Sequence, residues 1–372
     1  MKNLIDQHLF NSVYEGKRVF VTGHTGFKGS WMTYWLTAMG AKVKGYSLPP
    51  NTEPAHADLL LLDIESVHGD IRDAEKLKSE MHSFKPDIVF HMAAQPLVRY
   101  SYREPHETFE TNVMGSLNLY EACRNCDSVK SIVSLTTDKV YENKEWVWGY
   151  RETDRLGGKD PYSASKAAME IMTNSYRHSY FGLEKFEIEH DKLLAVGRAG
   201  NVIGGGDWAQ DRLIPDFIRA ALNGEVTEIR SPEAVRPWQH VLDPLSGYLL
   251  LGQKLIERNK SFHDAFNFGP LIQEELSVGE VANIIKSKWD KIDFLIRRPD
   301  VELYESTLLK LDCSKALKDL SWKPTWSTEN SITRTIEWYK SFYENKDIKT
   351  GEDLNAYISA AKSQKAIWCL ND

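Results

Sequence analysis

Residues 18–29 read RVFVTGHTGFKG, a short β-branched and aromatic run (Arg18–Thr22) that passes directly into a turn carrying Gly23, Gly26 and Gly29, three residues apart. Beyond the turn, Lys28–Met39 has helical apolar spacing and closes at Gly40. Such a junction needs residues without a Cβ, both to turn tightly and to let the backbone approach a diphosphate. The helix that follows then presents unpaired N–H groups to that anion. Three glycines alone are a weak signal, because a tight turn without a ligand reads the same. Their place between a first strand and a first helix tips the reading toward a dinucleotide site.

The rhythm continues outward from this stretch. Short apolar strands at Ala41–Ser47, Ser66–Gly69, Asp87–Met92 (DIVFHM), Val129–Thr136 and Lys192–Gly197 alternate with helices at Asp73–Phe84, Pro105–Asn125 and Asp160–Phe181. That alternation predicts right-handed βαβ units around a parallel sheet. The predicted class is α/β: a Rossmann-like, doubly wound parallel sheet with a second, smaller α/β substrate-binding domain. After about residue 200 the pattern is irregular. Asn201–Arg212 is rich in Gly and Asp; Ile214–Leu222, Ser277–Trp289 and Ser314–Leu320 read as helices, and Arg236–Asp243 leads into another. The expected division is 1–200 plus about 233–268 for the dinucleotide-binding domain and about 201–232 plus 269–345 for the substrate domain. The chain then crosses back once near Val241–Phe268. Residues 346–372 form a C-terminal tail with a helical stretch, read as able to pack against a neighbouring chain, its role not fixed by its residues.

Length and composition narrow the function. The 372 residues make about two domains at roughly 150 residues each. With 46 Lys and Arg against 53 Asp and Glu, the formal charge is −7. That opposes nucleic-acid binding but leaves room for a local basic pocket for a small phosphate. Apolar residues make up 42%, the balance of a folded globular chain. No apolar run approaches the roughly 18 residues that cross a bilayer. The N-terminal stretch carries Asp6 and Glu15 and has no signal-peptide core, so a cytoplasmic protein is expected. Cys123 and Cys126 form one CxxC, readable as a redox pair or half a zinc site. With no second CxxC or HxxxH, reduced thiols and no metal are expected. Eleven Trp are many; some could line a sugar site, although core packing is the commoner use.

Further positions carry candidate chemistry. The second strand ends in Gly45-Tyr46-Ser47, without an acid for ribose hydroxyls or an Arg for a 2′-phosphate, which favours NAD over NADP. Asp70, in HGDIRD, either accepts from an adenine amino group or caps the next helix, a task open also to Asp73. Tyr162 and Lys166, in YSASK, lie one turn apart on one helix face. An ammonium beside a phenol brings it down from about 10 toward working pH, equipping Tyr162 to take a hydroxyl proton. About one YxxxK is expected by chance, so the weight lies in its position downstream of the glycine loop. Strand Val129–Thr136 ends at Thr137-Asp138-Lys139, on the sheet edge that faces the ligand crevice. Read alone, Asp138 and Lys139 make an exposed salt bridge; 24 residues before Tyr162, they read as an acid and a base.

The loop TGHTGFKG, the strand end TTDKVYEN (Thr136–Asn143) and YSASK together resemble the extended short-chain dehydrogenase/reductase (NAD-dependent epimerase/dehydratase) family, in particular its nucleotide-sugar 4,6-dehydratases. HMAAQPLVRYSY (His91–Tyr102), RAGNVIGGGDWAQDRLIPD (Arg198–Asp216) and RPWQHVLDP (Arg236–Pro244) are similar to the CDP-glucose 4,6-dehydratase branch. The likeness spans about residues 10–340. It implies a tightly held NAD and a CDP-glucose substrate. It also implies a CDP-4-keto-6-deoxyglucose product feeding deoxysugar biosynthesis, as for lipopolysaccharide O-antigen, and a homo-oligomer, dimer or tetramer.

Carried onto matching positions, the resemblance implies Gly23, Thr25, Gly26, Phe27, Gly29, Asp70, Ile71, Ala93 and Ala94, with Tyr162 and Lys166, around NAD. It implies Gln95, Asn112, Asn201, Arg212 and Arg236 around the substrate. Thr137 would hydrogen-bond the sugar 4-hydroxyl, Tyr162 serve as base there, Lys166 hold the nicotinamide ribose and Asp138 protonate the departing 6-hydroxyl. Where the dTDP-glucose branch has a Glu as the carbon 5 base, this chain has Lys139. An ammonium accepts no proton, so Lys139 would act as the neutral amine, the form burial favours. A nucleotide-sugar 4-epimerase shares NAD and the Tyr–Lys pair but needs no Asp–Lys pair, and is the competing expectation. A non-catalytic NAD-binding regulator and an NADPH-consuming reductase stand behind it.

Overall fold

The computed structural model describes residues 8–271, 276–297 and 308–370. Strands β1 (Arg18–Thr22), β2 (Lys42–Ser47), β3 (Glu65–His68), β4 (Ile88–His91), β5 (Ser131–Thr137), β6 (Leu193–Ala199) and β7 (Ala265–Phe268) form one sheet. Their order is β7-β6-β5-β4-β1-β2-β3, and every neighbouring pair is parallel. The order reverses between β1 and β4, where Thr22 and His91 are in register, and a crevice opens there beyond the carboxyl ends of the strands. The longer helices are α1 (Phe27–Ala38), α2 (Ala74–Phe84), α3 (Gly115–Arg124), α4 (Pro161–Ser179), α5 (Leu213–Asn223), α6 (Leu242–Ile256), α7 (Val278–Lys288), α8 (Thr328–Asn345) and α9 (Thr350–Ser363).

Both faces of the sheet are covered, which is why its strands read as unbroken apolar runs. Val19, Val21, Ile88, Phe90 and Val133 pack toward α1 and α6, while Phe20, Val89, Ile132 and Leu194 pack toward α2, α3 and α4. Local chemistry sets the helix starts. Asp73 caps α2 by accepting from the Lys76 N–H (3.1 Å), Asp160 caps α4 by accepting from the Ser163 N–H (3.0 Å), and Pro161 follows at its first position. Ser277 and Glu280 form a capping box on α7.

The stretch expected as one helix, Pro105–Asn125, is divided. Pro105–Phe109 is α-helical, Glu110–Met114 is a π-turn, and α3 follows. The wide turn holds buried Asn112, whose Oδ1 accepts from the Gln95 N–H (2.8 Å) and whose Nδ2 donates to Ser165 Oγ (2.8 Å).

The tail packs on its own chain. Trp368 stacks on Phe10 (5.2 Å) and Tyr357 (5.8 Å) and meets Trp35 of α1 edge-on (5.6 Å). Its aromatic surface is therefore already spent inside the protomer. Thr350 Oγ1 lies 2.8 Å from His56 Nε2, and His56 Nδ1 lies 2.8 Å from Ser30 Oγ of α1. Trp31, Trp35, Trp289, Trp322, Trp338 and Trp368 are fully buried in the core. Among the described residues no helix is long and apolar enough to cross a membrane.

Candidate active site

The glycine string occupies the crevice as its spacing requires. Gly23 has φ +76°, and a Cβ there would lie 2.7 Å from the Ala93 nitrogen. A Cβ on Gly29 would lie 2.0 Å from the Gly23 carbonyl oxygen, so this glycine lets α1 sit against the end of β1. Gly26 is different: its nearest protein neighbour would be 3.4 Å away, an ordinary contact, and its face toward the cleft is exposed. No side chain caps α1 at Gly26, which leaves the helix N-terminus to a ligand. Thr25 Oγ1 donates to the Leu48 carbonyl (2.9 Å) and lies 2.8 Å from Ser47 Oγ, tying the loop to β2. Thr22 Oγ1 accepts from the N–H groups of Met92 (3.1 Å) and Ala93 (3.2 Å), docking the turn after β4 beside it.

The cleft has a volume of about 1050 Å³ and is lined by Thr25, Phe27, Asp70, Ile71, Ala93 and Ala94 at one end. At Asp70 the structure sets aside one of the two expected roles, the helix cap. Asp73 caps the helix, and the Asp70 carboxylate accepts from the Arg72 backbone N–H (2.9 Å) and guanidinium (2.6 Å to Nη2). Burial alone would raise Asp70, but the Arg72 hydrogen bonds outweigh it and hold the carboxyl below its usual range.

The reacting end is built by β5 and the first turns of α4. Thr137 Oγ1 donates to Asp138 Oδ1 (2.8 Å) and accepts from the Lys139 N–H (3.3 Å). Across the cleft the Tyr162 phenol hydrogen-bonds Thr137, while its backbone N–H donates to Ser101 Oγ (3.1 Å). Lys166 Nζ donates to the Leu135 carbonyl (3.1 Å).

Protonation here differs from the expectation that Lys166 draws the phenol toward working pH. Burial first, reinforced by Asp138 and opposed by the Thr137 hydrogen bond, pushes Tyr162 up to about 12. Burial also brings the Lys166 ammonium down to about 8 against the pull of Glu170. Lys166 is aimed at a carbonyl and is itself weakened as a charge, so desolvation of the phenol dominates. The Lys139 side chain is 27% exposed, against 2% for Asp138, with Nζ 4.0 Å from Asp138 Oδ1.

Asn201, Arg212 and Arg236 line the same cleft, beyond the reacting end, with Trp208 and Trp238 at its border. Arg212 Nη1 bonds Asp207 Oδ2 (2.8 Å), and the Asp207 N–H donates to the Tyr339 hydroxyl of α8 (2.9 Å). The Gly205 carbonyl accepts from Trp31 Nε1 (2.9 Å), so the loop bearing Arg212 is anchored to α1 and α8. Gln95 and Asn112 do not line the cleft. Both are buried, and Gln95 Nε2 donates to Thr108 Oγ1 (2.8 Å), so they brace the turn after β4 against α4.

Three residues the sequence reading passed over belong to this site: Lys28, Asp207 and Glu170. Lys28 stands inside the quoted glycine string, where a cation at a helix start was the missed signal. Glu170, one turn beyond Lys166, is buried with Arg198, whose Nε donates to it (2.9 Å); an acidic side chain on the catalytic face of α4 was its only trace. Cys123 and Cys126 are buried free thiols, and burial pushes the Cys123 thiol up. Among the described residues, no cluster of three or more His, Cys, Asp or Glu could hold a metal ion.

Comparison with known proteins agrees with this geometry. The sequence profile of the GDP-mannose 4,6-dehydratase family matches residues 20–335. The CDP-glucose 4,6-dehydratase of Salmonella typhimurium is 46% identical over 351 residues, 93% of this chain and 98% of that protein. A dTDP-glucose 4,6-dehydratase from Streptomyces venezuelae, solved with NAD and TYD bound, superposes with TM-score 0.73 at 25% identity, covering 88% of this chain and 98% of that one. A UDP-glucose 4-epimerase from Thermotoga maritima, solved with UDP-glucose, gives 0.76 at 25% identity, covering 88% and 100%. With most of its length under that profile and a relative this similar, the chain belongs to the GDP-mannose 4,6-dehydratase family.

Proposed function

We infer that this protein is an NAD-dependent hydro-lyase that converts CDP-glucose to CDP-4-keto-6-deoxyglucose and water. The observation that carries this reading is that Thr137 and Lys139 line one cleft with Tyr162, with Asp138 buried beside them and hydrogen-bonded to Thr137. An epimerase needs the Tyr–Lys pair but has no use for that acid–base pair. The CDP-glucose 4,6-dehydratase matched over nearly its whole length supports the choice of nucleotide.

The residues present fit NAD. The Gly23–Gly29 cradle has no room for side chains at two positions and leaves an uncapped helix end at the third. When bound, NAD supplies a hydride acceptor for carbon 4 and returns the hydride to carbon 6. Tyr162 takes the 4-hydroxyl proton. With its phenol at about 12, it does so only as the hydride departs, and the Thr137 hydroxyl steadies the oxygen that results. Lys166, at about 8, is largely an ammonium at neutral pH and supplies positive charge beside that oxygen.

Asp138 and Lys139 act as one unit sharing a proton. As carboxylic acid and amine they are the acid and base elimination needs; as carboxylate and ammonium they are the salt bridge 4.0 Å long. Both forms carry the same number of protons, so one internal transfer arms the pair. Lys139 then removes the carbon 5 proton, Asp138 protonates the 6-hydroxyl, and the pair ends as the salt bridge.

Incubation with CDP-, UDP-, dTDP- and GDP-glucose in deuterated water, followed by mass spectrometry, tests this. Loss of one water from the CDP sugar, with deuterium at carbon 5, is expected. An unchanged mass from protein carrying its full NAD overturns the reading, and inversion at carbon 4 without water loss assigns an epimerase.

We further propose that 1–200 with about 233–268 bind NAD and 201–232 with 269–345 bind the nucleotide sugar. The enzyme works in the cytoplasm, supplying deoxysugar biosynthesis. The exposed Phe109, Met114 and Ile171, on the Pro105–Met114 segment and α4, support a homo-oligomer, which sedimentation of the purified protein checks.

A further inference from the structure

Lys28 is the second residue of α1, and its side chain lines the same cleft as Tyr162, Lys166 and Arg212. A cation there opposes the helix dipole, and no acidic residue in the first turn offsets it. Among the described residues no carboxylate comes within 4.0 Å of its ammonium. The charges acting on it most strongly are Arg212, then Asp138, Lys166 and Asp207. Lys28 thus shares the cleft with the cations Lys139, Lys166 and Arg212. Asp207 is already bonded to Arg212 (2.8 Å), and Asp138 already accepts the Thr137 hydroxyl and pairs with Lys139 (4.0 Å). Neither carboxylate is left over for Lys28 in this partly desolvated cleft. Burial, ahead of repulsion from Arg212, brings Lys28 down to about 8, the response of a cation that lacks an anion.

We propose that Lys28 and Arg212 together clamp the diphosphate of the nucleotide sugar, Lys28 from α1 and Arg212 from the loop after β6. This rests on the dehydratase reading given above. NAD also carries a diphosphate, but the open backbone around Gly26 serves that one. The charge Lys28 feels most is Arg212, held by Asp207 on the loop after β6, not the Asp70–Arg72 pair at the other end of the cleft. A two-sided cationic grip fixes the diphosphate, and with it the distance from the sugar to Tyr162.

The test uses holoenzyme carrying Lys28→Met, Lys28→Gln or Lys28→Arg. For each, the NAD content, the melting temperature and the calorimetric Kd for CDP-glucose, CDP and cytidine are measured. The Met and Gln variants are expected to keep parental NAD and melting temperature. They should bind CDP-glucose and CDP about 10- to 100-fold more weakly, the worth of one hydrogen bond to a charged group, with cytidine unaffected. The Arg variant should recover most of the loss. Unchanged affinity for CDP overturns the proposal. Loss of NAD with unchanged CDP affinity assigns Lys28 to the dinucleotide, and loss of carbon 5 exchange alone assigns it to proton transfer; both overturn it. If the parent dehydrates no nucleotide-glucose, the dehydratase reading fails. A selective fall in affinity for whichever nucleoside diphosphate the parent binds still upholds the clamp.

Discussion

Gly26→Ala and Gly29→Ala each add one methyl group to the cofactor loop, with opposite expected consequences. At Gly29 the new carbon would lie 2.0 Å from the Gly23 carbonyl oxygen and 2.8 Å from its carbonyl carbon, both backbone atoms. Carbon–oxygen contacts settle near about 3.3 Å, so α1 must move off β1 by roughly 1 Å. Alanine gains about 1 kcal/mol of helix propensity over glycine. Overpacking costs about 1–3 kcal/mol, so the steric cost wins. At Gly26 the new carbon meets nothing nearer than 3.4 Å, and a helix N-cap change from Gly to Ala costs about 1 kcal/mol at most. In the proposed placement, the dinucleotide diphosphate fills the space above Gly26. Stripped of nucleotide, Gly26→Ala should therefore melt within about 3 °C of the parent. As purified, it should retain about a tenth of the parental NAD or less, a penalty of about 1.4 kcal/mol or more. Gly29→Ala should both melt lower and lose NAD. Thermal melts of stripped protein, with absorbance of nucleotide released on precipitation, measure the two effects separately. A Gly26→Ala protein with its full NAD complement refutes this placement of the diphosphate. A Gly29→Ala protein that melts at or above the parent refutes the packing argument.

Tyr162→Phe should keep NAD yet slow its reduction by substrate in a single turnover by about 10²- to 10⁴-fold; parental reduction removes Tyr162 from its role. Lys139→Met should still reduce bound NAD but stop deuterium entering carbon 5, and parental exchange there would show that another group is the base. Glu170→Gln removes the carboxylate that props up the Lys166 ammonium, so Lys166 falls further below about 8 and its charge is lost at lower pH as pH rises. The alkaline limb of kcat should move toward neutral, and leaving the buried Arg198 without its carboxylate partner should cost about 3–5 kcal/mol of stability. An unmoved limb separates Glu170 from Lys166.

Much of this architecture is legible along the chain because local chemistry decides it. The strands of the sheet are apolar throughout since both faces are covered, and Asp73, Asp160 and Ser277 announce helix starts one residue away. The glycine spacing locates the cofactor loop, and YSASK with TTDK locates the two sides of the reacting centre. Side-chain destinations are another matter, because they depend on partners far away in sequence. Asn112 and Gln95 look like ligand contacts in a string but turn inward to each other and to Ser165. The Tyr162 phenol sits beside Lys166 in the pentapeptide, yet its protonation follows burial and Asp138. Lys28 stands in full view inside TGHTGFKG, and only the neighbouring charges of Arg212 and Asp138 show its importance.

The stacking of Trp368 on Phe10, and its edge contact with Trp35, has a consequence for synthesis. The first helix emerges from the ribosome early, but one side of it stays bare until residue 368 has cleared the exit tunnel. Thr350, which completes the chain of hydroxyls and imidazole running through His56 to Ser30, arrives almost as late. The face of α1 that carries Trp35 is therefore covered only once the Trp368 segment has been made, whereas the glycine loop packs against Met92 and Ala93, within the first hundred residues.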